Sequence, residues 1–229
     1  MRTATAALFG AGFLLFFAGP TAGSPSANCR LRAPSSAQQL ITVEAARYRT
    51  TAASLRLWRR VGRCWAPVAG PWTARVGWNG LSDRRREGDG TTPAGVFTIG
   101  RIMYGNAPDP GVRYRYRRLV CGDWWNEDPS SPTYNTFQHV RCGTRPPFRV
   151  TTPGLWQEKR AYRHFAVIEF NTRPVVPGRG SGIFLHAQTG NSTNGCVSLP
   201  ADKLVTALRW LDPVKRPRIA IGTRASLSG

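Results

Sequence analysis

The sequence predicts a mainly β fold, a β-sandwich or partly open barrel with one late α-helix. Eighteen prolines and 24 glycines interrupt the 229 residues too often for a helical bundle. Short runs of β-branched and aromatic residues stand between these interruptions, as is typical of strands. Residues 28–229 are enough for a single domain, with a core over about residues 40–222. Residues 104–160 carry few strand signals and indicate a functional or disulfide-held insertion.

The first strand signals predict a hairpin. Residues 40–43 form a short apolar run, and apolar and polar residues alternate over residues 53–57. A turn around Gly62 then leads into residues 64–68, which form the second arm. Further strands are predicted at residues 74–78, 96–99, 164–170, 182–187 and 218–221.

The predicted helix runs from Pro200 to about Leu211. Proline suits the first helical turn, and Asp202 in that turn interacts favourably with the helix dipole. Leucines at positions 204, 208 and 211 share one face, and an Asp-Pro pair follows. The helix is therefore expected to bury its leucine face and to end before residue 213.

The N-terminus has the pattern of a secretory signal peptide. Arg2 precedes an apolar stretch over residues 6–18, which is too short to cross a bilayer as a helix. Small residues follow, so residues 1–27 are expected to be removed on export. A retained membrane anchor is the alternative, whereas Asn28 before Cys29 disfavours a lipoprotein. We expect a secreted protein that is extracellular or associated with the cell wall.

Export also affects how the five cysteines are interpreted, because oxidising compartments favour disulfides. Cys121 and Cys142 bracket a turn-rich loop that a disulfide would close, and Cys29 and Cys64 would then pair by default. Four cysteines allow three connectivities, so this pairing is a preference. Cys196 remains as the free thiol.

The chain is strongly basic, and its partners are expected to be anionic. Lys and Arg number 32 against 12 Asp and Glu, a net charge of +20, and nearly all of the excess is arginine. The arginines are spread along the chain, so no specific nucleic-acid site is predicted. For an exported protein, anionic wall polymers are the more accessible partner. A solvated basic surface without a specific ligand is the alternative.

Cys196 is a candidate nucleophile because it follows His186 by ten residues. His186 ends the predicted strand 182–187, and we expect the two residues to meet across a hairpin. A histidine beside a thiol either accepts its proton or, as imidazolium, stabilises the thiolate. Gly195 allows a sharp turn that would aim nearby amides at an oxyanion. A buried structural cysteine beside a satisfied histidine is the alternative.

A metal site has weaker support in the sequence. His139 and Cys142 form a lone H-x-x-C, which is half of a zinc site, and no second half has matching spacing. These two residues therefore predict no metal site.

Two separated motifs add a family resemblance. GDGTTPAGVFTI over residues 88–99, followed by GIFLH at 182–186 and STNGCV at 192–197, resembles the L,D-transpeptidase catalytic domain of the YkuD type. The resemblance covers about residues 40–222. It implies a β-rich fold, a scaffold role for the T-P-x-G-x-F strand, and His186 and Cys196 as the catalytic pair.

The resemblance implies acyl transfer on peptidoglycan stem peptides. Cys196 would attack the carbonyl of the third residue, a diamino acid, and expel the terminal D-alanine with His186 as proton shuttle. The resulting thioester would pass to an amine, giving a 3→3 crosslink, or to water, giving a trimmed peptide. A carbapenem is the expected covalent inhibitor.

The substrate-binding residues depart from the family pattern. Thr193, Asn194, Gly195 and Ser198 surround the nucleophile in the sequence, but many members have histidine or lysine in place of Asn194 and arginine or asparagine in place of Ser198. The loop between histidine and cysteine is also shorter. Arg179 is a candidate to bind the substrate carboxylate in place of the arginine that Ser198 replaces. Its alternative role is that of a solvated surface residue.

Two other functions compete with this one. A sortase would also be an exported cysteine transpeptidase, with His139 upstream and Arg209 downstream of the nucleophile. However, Gly195 rather than threonine precedes Cys196, and Arg209 lies on the predicted helix. A non-catalytic wall-binding module would use its arginines and tolerate Cys196→Ala.

Overall fold

The computed structural model describes Met1 and residues 27–228. The predicted signal peptide therefore lies outside the described residues except at its two ends. Within the described part of the chain, no helix is long and apolar enough to span a membrane.

Strands dominate the described residues, which confirms the predicted mainly β class. The helices are α1 (Ala201–Trp210) and the short α2 (Arg224–Leu227), with 3-10 turns at Ala161–Arg163 and Pro213–Lys215. The strands are β1 Gln39–Ala45, β2 Ala52–Val61, β3 Cys64–Arg75, β4 Leu81–Ser82, β5 Thr92–Pro93, β6 Gly95–Gly105, β7 Arg115–Arg118, β8 Asp123–Asn126, β9 Thr136–His139, β10 Phe165–Ile168, β11 Phe184–Ala187, β12 Val197–Leu199 and β13 Arg218–Thr223.

Nine strands form one barrel-like sheet in the order β10-β11-β12-β3-β2-β1-β13-β6-β7. The long strand β6 pairs with β13 through its first half and with β10 and β7 further along. Because β10 also pairs with β11, eight strands close into a ring. A single residue pair, Ser198 with Arg75, joins β12 to β3, so the ring is only partly closed and agrees with the partly open barrel expected from the sequence.

The predicted hairpin is present, as β2 and β3 pair antiparallel around the turn at Gly62. The helix α1 lies within the predicted span, with Leu204 and Leu208 buried in the main core. The strand expected at residues 74–78 is shorter, because β3 ends at Arg75. Residues 76–78 leave the sheet. Val76 and Trp78 instead form backbone hydrogen bonds with Thr193, in the loop before Cys196.

Strand β11 separates two apolar clusters because its side chains alternate between faces. Leu185 and Ala187 belong to the large core inside the barrel. Phe184 packs on the opposite face with Phe165 and Leu155, beneath the insertion. The sheet thus has a second apolar layer, and Cys196 belongs to it.

The structure contains both disulfides that the sequence favours, Cys29–Cys64 and Cys121–Cys142. Cys196 is the free cysteine. His139 Nδ1 hydrogen-bonds the buried Asp123 at 2.7 Å, so both members of the H-x-x-C motif have structural partners other than a metal.

The insertion is held by charge as well as by its disulfide. Asp123 is fully buried and also accepts hydrogen bonds from Arg117 Nη2 at 3.0 Å and from the Val120 N–H at 3.0 Å. Short strands β7, β8 and β9 lie within residues 104–160. Few strand signals were visible there because strands of four residues leave little periodicity.

Replacing Cys121 and Cys142 together by serine should lower the free energy of unfolding by about 3 kcal/mol, because the bond closes a loop with a sequence separation of 21. The double variant leaves no odd thiol to mispair with Cys196. Chemical denaturation of the oxidised proteins measures the change. An unfolding free energy equal to that of the wild type would show that Asp123 and its partners hold the insertion without the disulfide.

Candidate active site

Strand β11, which carries His186, and strand β12, which directly follows Cys196, run parallel, so the expected hairpin is wrong. His186 pairs with Ser198, and Leu185 pairs with Val197. A parallel neighbour requires the chain to return to the start of β11 before β12 begins. Residues 188–196 make this return without a helix, and they are supported by the residues that leave β3. The Trp78 N–H donates to Thr193 O at 2.8 Å, and the Thr193 N–H donates to the Val76 carbonyl at 3.0 Å.

This register brings the candidate catalytic residues to one face. Ser198 is level with His186, and Cys196 lies two residues before Ser198, so all three side chains lie on the same side of the sheet. They line a cavity of about 290 Å³ together with Thr193 and Asn194. Five of the residues that the sequence nominated are therefore gathered at one cavity.

The Cys196 thiol is protonated in the resting structure. Its side chain is largely buried, at 8% exposure, and Sγ donates to the Gly182 carbonyl at 3.3 Å. Burial raises the pKa of the thiol to about 12, although the Phe184 N–H at 3.4 Å and the nearby Arg85 charge both lower it. A preformed thiolate is thus disfavoured.

His186 is a neutral base, and its Nε2 has no hydrogen-bond partner among the described residues. Nδ1 lies 2.8 Å from the Ala187 carbonyl, which can only accept, so Nδ1 carries the proton and Nε2 presents a lone pair. Burial lowers the pKa of His186 to about 4. The Tyr162 ring packs against the imidazole with centroids 5.7 Å apart. Of the two roles left open by the sequence, proton acceptor therefore fits the electrostatics better than resident imidazolium.

Thr92 supports the nucleophile directly. The Cys196 carbonyl accepts hydrogen bonds from Thr193 Oγ1 at 2.7 Å and from Thr92 Oγ1 at 3.2 Å. Thr92 in turn accepts the Gly77 N–H at 2.8 Å. The T-P-x-G motif therefore reaches the backbone of the cysteine itself.

Gly195 is required by close packing. Its φ is +134°, and a Cβ there would lie 2.5 Å from Arg85 Nη1 and 2.8 Å from the Thr91 carbonyl. The Gly195 N–H donates to Thr193 Oγ1 at 3.1 Å, so this amide is already used. Any larger side chain at position 195 would push Arg85 away from the loop.

Arg85 is the arginine beside the nucleophile, and the sequence did not single it out. Its side chain is buried, at 5% exposure, and it donates to the carbonyls of Thr91 and Asn194 and to Asp89 Oδ1, the last at 3.2 Å. Its charge lowers the pKa of Cys196. Arg85 is the middle residue of three consecutive arginines, a pattern typical of a solvated surface.

Three other candidates lie outside the cavity. Arg179, the expected grip on a substrate carboxylate, is exposed, and its guanidinium lies 5.6 Å from the ring centroid of Phe170. Arg209 donates to the Pro110 carbonyl on the outside of α1. His139 is bound to Asp123, so neither residue that a sortase would need lines the cavity.

The insertion contributes the remaining wall of the cavity. Trp125, Glu127 and Glu158 of the insertion line it, and so does Tyr162 in the 3-10 turn that follows the insertion. Burial, and secondarily the charge of Glu87, raises the pKa of Glu127 to about 7. Sequence reasoning identified the insertion but none of these residues, because their proximity to Cys196 depends on long-range folding.

The chain matches a known protein family over most of its length. The family model of the YkuD L,D-transpeptidase catalytic domain matches residues 38–223. Among solved structures, the chain is similar to the helical cell shape determining protein Pgp2 from Campylobacter jejuni, with a TM-score of 0.45 and 11% identity. That match covers 88% of this chain and 53% of the other, so this chain spans about half of the Pgp2 chain. No protein of curated function matches. The chain belongs to the YkuD L,D-transpeptidase catalytic-domain family.

Proposed function

We propose that this protein is an exported cysteine acyltransferase that acts on peptidoglycan stem peptides. The observation that carries the proposal is that a buried thiol and a neutral imidazole line the same cavity from one face of the sheet. The Nε2 of His186 carries no proton, because Nδ1 donates to the Ala187 carbonyl, and it would act as the base for the nucleophile. Membership of the L,D-transpeptidase family supports the substrate class.

Acylation follows from the neutral starting pair. Cys196 Sγ attacks the carbonyl carbon of the third stem residue as its proton moves to His186 Nε2. Charge then separates only as the reaction proceeds, because burial disfavours both the thiolate and the imidazolium in the resting site. When the tetrahedral intermediate collapses, the imidazolium returns the proton to the leaving amine of D-alanine. A thioester remains on Cys196.

The oxyanion requires a donor close to the nucleophile. The Gly195 N–H is bonded to Thr193, whereas the Cys196 N–H makes no hydrogen bond within the described residues. We therefore assign the Cys196 amide as the oxyanion donor. The sequence did not decide which of the amides near Gly195 would take this role.

The thioester can be resolved in two ways. An amine from a neighbouring stem gives a 3→3 crosslink, and water gives a tripeptide. These steps use Cys196, His186 and the backbone. In the proposed setting the enzyme is extracellular or wall-associated, and its basic surface holds it near anionic wall polymers.

A carbapenem should acylate Cys196 of the purified mature protein, because its strained lactam carbonyl takes the place of the peptide carbonyl. Intact-mass spectrometry should show one added drug mass, and peptide mapping should locate it on Cys196. Cys196→Ala should show no adduct and, unlike in a wall-binding module, should abolish function. Absence of an adduct on the wild type, with Cys196 confirmed reduced, would contradict the proposed nucleophile.

The pH dependence of carbapenem acylation should report the lowered pKa of His186. The base must be unprotonated, so the rate should rise through about pH 4 and be level from about pH 5 to 8. The measurement is best made on Glu127→Gln, which removes a carboxyl with a pKa of about 7 from the cavity. Circular dichroism at each pH verifies folding. A rise centred at or above pH 6.5 would mean that the imidazole is not the buried neutral base described above.

A further inference from the structure

The side chains that line the cavity at Cys196 are acidic or uncharged, unlike those of the arginine-rich remainder of the chain. The chain carries a net charge of +20. Nevertheless, Glu127 and Glu158 line the cavity, and no lysine or arginine is among its described lining residues. A cavity lined by carboxylates attracts cations and disfavours anions. Of the groups on a stem peptide, the amine of the diamino acid is the cationic one.

Glu127 lies beside Gly182, the residue whose carbonyl accepts a hydrogen bond from the Cys196 thiol. Glu127 Oε1 occupies the space that a side chain at Gly182 would need. Glu127 also influences the thiol electrostatically, since its negative charge raises the pKa of Cys196. It therefore lies near the nucleophile and lines the same cavity.

The position of Glu127 is built into the insertion. It directly follows β8, whose buried Asn126 donates from Nδ2 to Ser131 Oγ at 2.7 Å and to Thr133 Oγ1 at 2.9 Å. Asn126 Oδ1 accepts the N–H of Asp128 at 2.9 Å on the other side of Glu127. The backbone of Glu127 is thus fixed between residues that are themselves hydrogen-bonded.

Thr152 hydrogen-bonds the Glu127 carboxyl, but a carboxylate accepts several hydrogen bonds, and the neighbouring charged groups leave its other acceptor positions to a ligand. Glu87, the other nearby acid, is occupied by Ser181 Oγ at 2.6 Å and by the Tyr134 hydroxyl. Arg85 directs its donors to Thr91, Asp89 and Asn194 rather than to Glu127. No ion pair joins Glu127 to a basic residue within the described chain.

We propose that Glu127 binds the amino group of the acceptor stem and takes its proton, so that the thioester is resolved by amine rather than by water. This inference rests on the proposed function, and it assigns to Glu127 the choice between amine and water as the group that resolves the thioester. An alkyl amine with a pKa of about 10.4 is an ammonium ion at neutral pH and cannot attack until it loses a proton. A carboxylate in the cavity both attracts the ammonium ion and removes that proton.

The step balances without a further reactant. The ammonium ion transfers one proton to the Glu127 carboxylate, and the neutral amine nitrogen forms a bond to the thioester carbonyl carbon. The C–S bond breaks, and the second proton lost by nitrogen passes through His186 to the leaving Cys196 sulfur. The products are the new amide and the free thiol, and Glu127 releases its proton to solvent.

The test is the partition of the thioester in Glu127→Gln. Purified full-length mature protein is supplied with a disaccharide tetrapeptide, and crosslinked dimer and tripeptide are quantified by liquid chromatography with mass spectrometry. The dimer-to-tripeptide ratio does not depend on the acylation rate, and it should fall about tenfold, as expected for loss of a charged hydrogen bond. Glu127→Asp should recover part of the ratio. Glu44→Gln removes the same charge from an exposed ion pair with Arg224 and serves as the matched control.

Each outcome decides the proposal. An unchanged ratio in Glu127→Gln, or an equal fall in Glu44→Gln, overturns it. Wild-type enzyme that yields tripeptide but no dimer at saturating acceptor also overturns it, while leaving acyl transfer to water intact. Failure of the proposed function itself differs from all of these results, because then no D-alanine is released and no carbapenem adduct forms.

Discussion

The carbonyl of Cys196 accepts hydrogen bonds from the hydroxyls of Thr92 and Thr193, and the bond from Thr92 joins two segments that are distant in the chain. Thr92 is fixed by the Gly77 N–H, and Thr193 is fixed by its backbone bonds to Val76 and Trp78. The return loop between β11 and β12 contains no helix to hold it. Its conformation, and with it the position of the thiol, therefore depends on these bonds.

Burial determines the chemistry that this arrangement permits. Both members of the candidate pair are neutral because desolvation disfavours charge on the thiol and on the imidazole. Arg85 partly offsets the cost of a thiolate, whereas Glu127 increases it. The site thus favours a proton transfer coupled to attack over a stored ion pair. The insertion supplies both the apolar cover and the acidic wall, so it belongs to the site as much as the strands do.

The sequence predicted those features that depend on local patterns. The mainly β class, the first hairpin, the helix and the grouping of Cys196 with His186 follow from periodicity, turn residues and two short motifs. The parallel pairing of β11 and β12 did not, because a ten-residue spacing between histidine and cysteine suggests a hairpin unless the return path along residues 76–78 is known. Arg85 and Glu127 were missed for the same reason, since each reaches Cys196 through contacts between residues far apart in the chain. Arg179 is a candidate to bind the substrate carboxylate because it lies in a glycine-rich run before β11. Such a run indicates a turn, but it does not indicate that the arginine lies close to Cys196.

In the proposed reaction, Cys196 carries the acyl group of the stem peptide during turnover. This acyl-enzyme can be trapped by rapid acid quench of the mature protein with disaccharide tetrapeptide and located by peptide mapping. We expect a tripeptide acyl group on the peptide that contains Cys196, and neutral hydroxylamine should remove it, as is typical of a thioester. Release of D-alanine without an adduct on Cys196, or by the Cys196→Ala variant, would show that Cys196 is not the nucleophile.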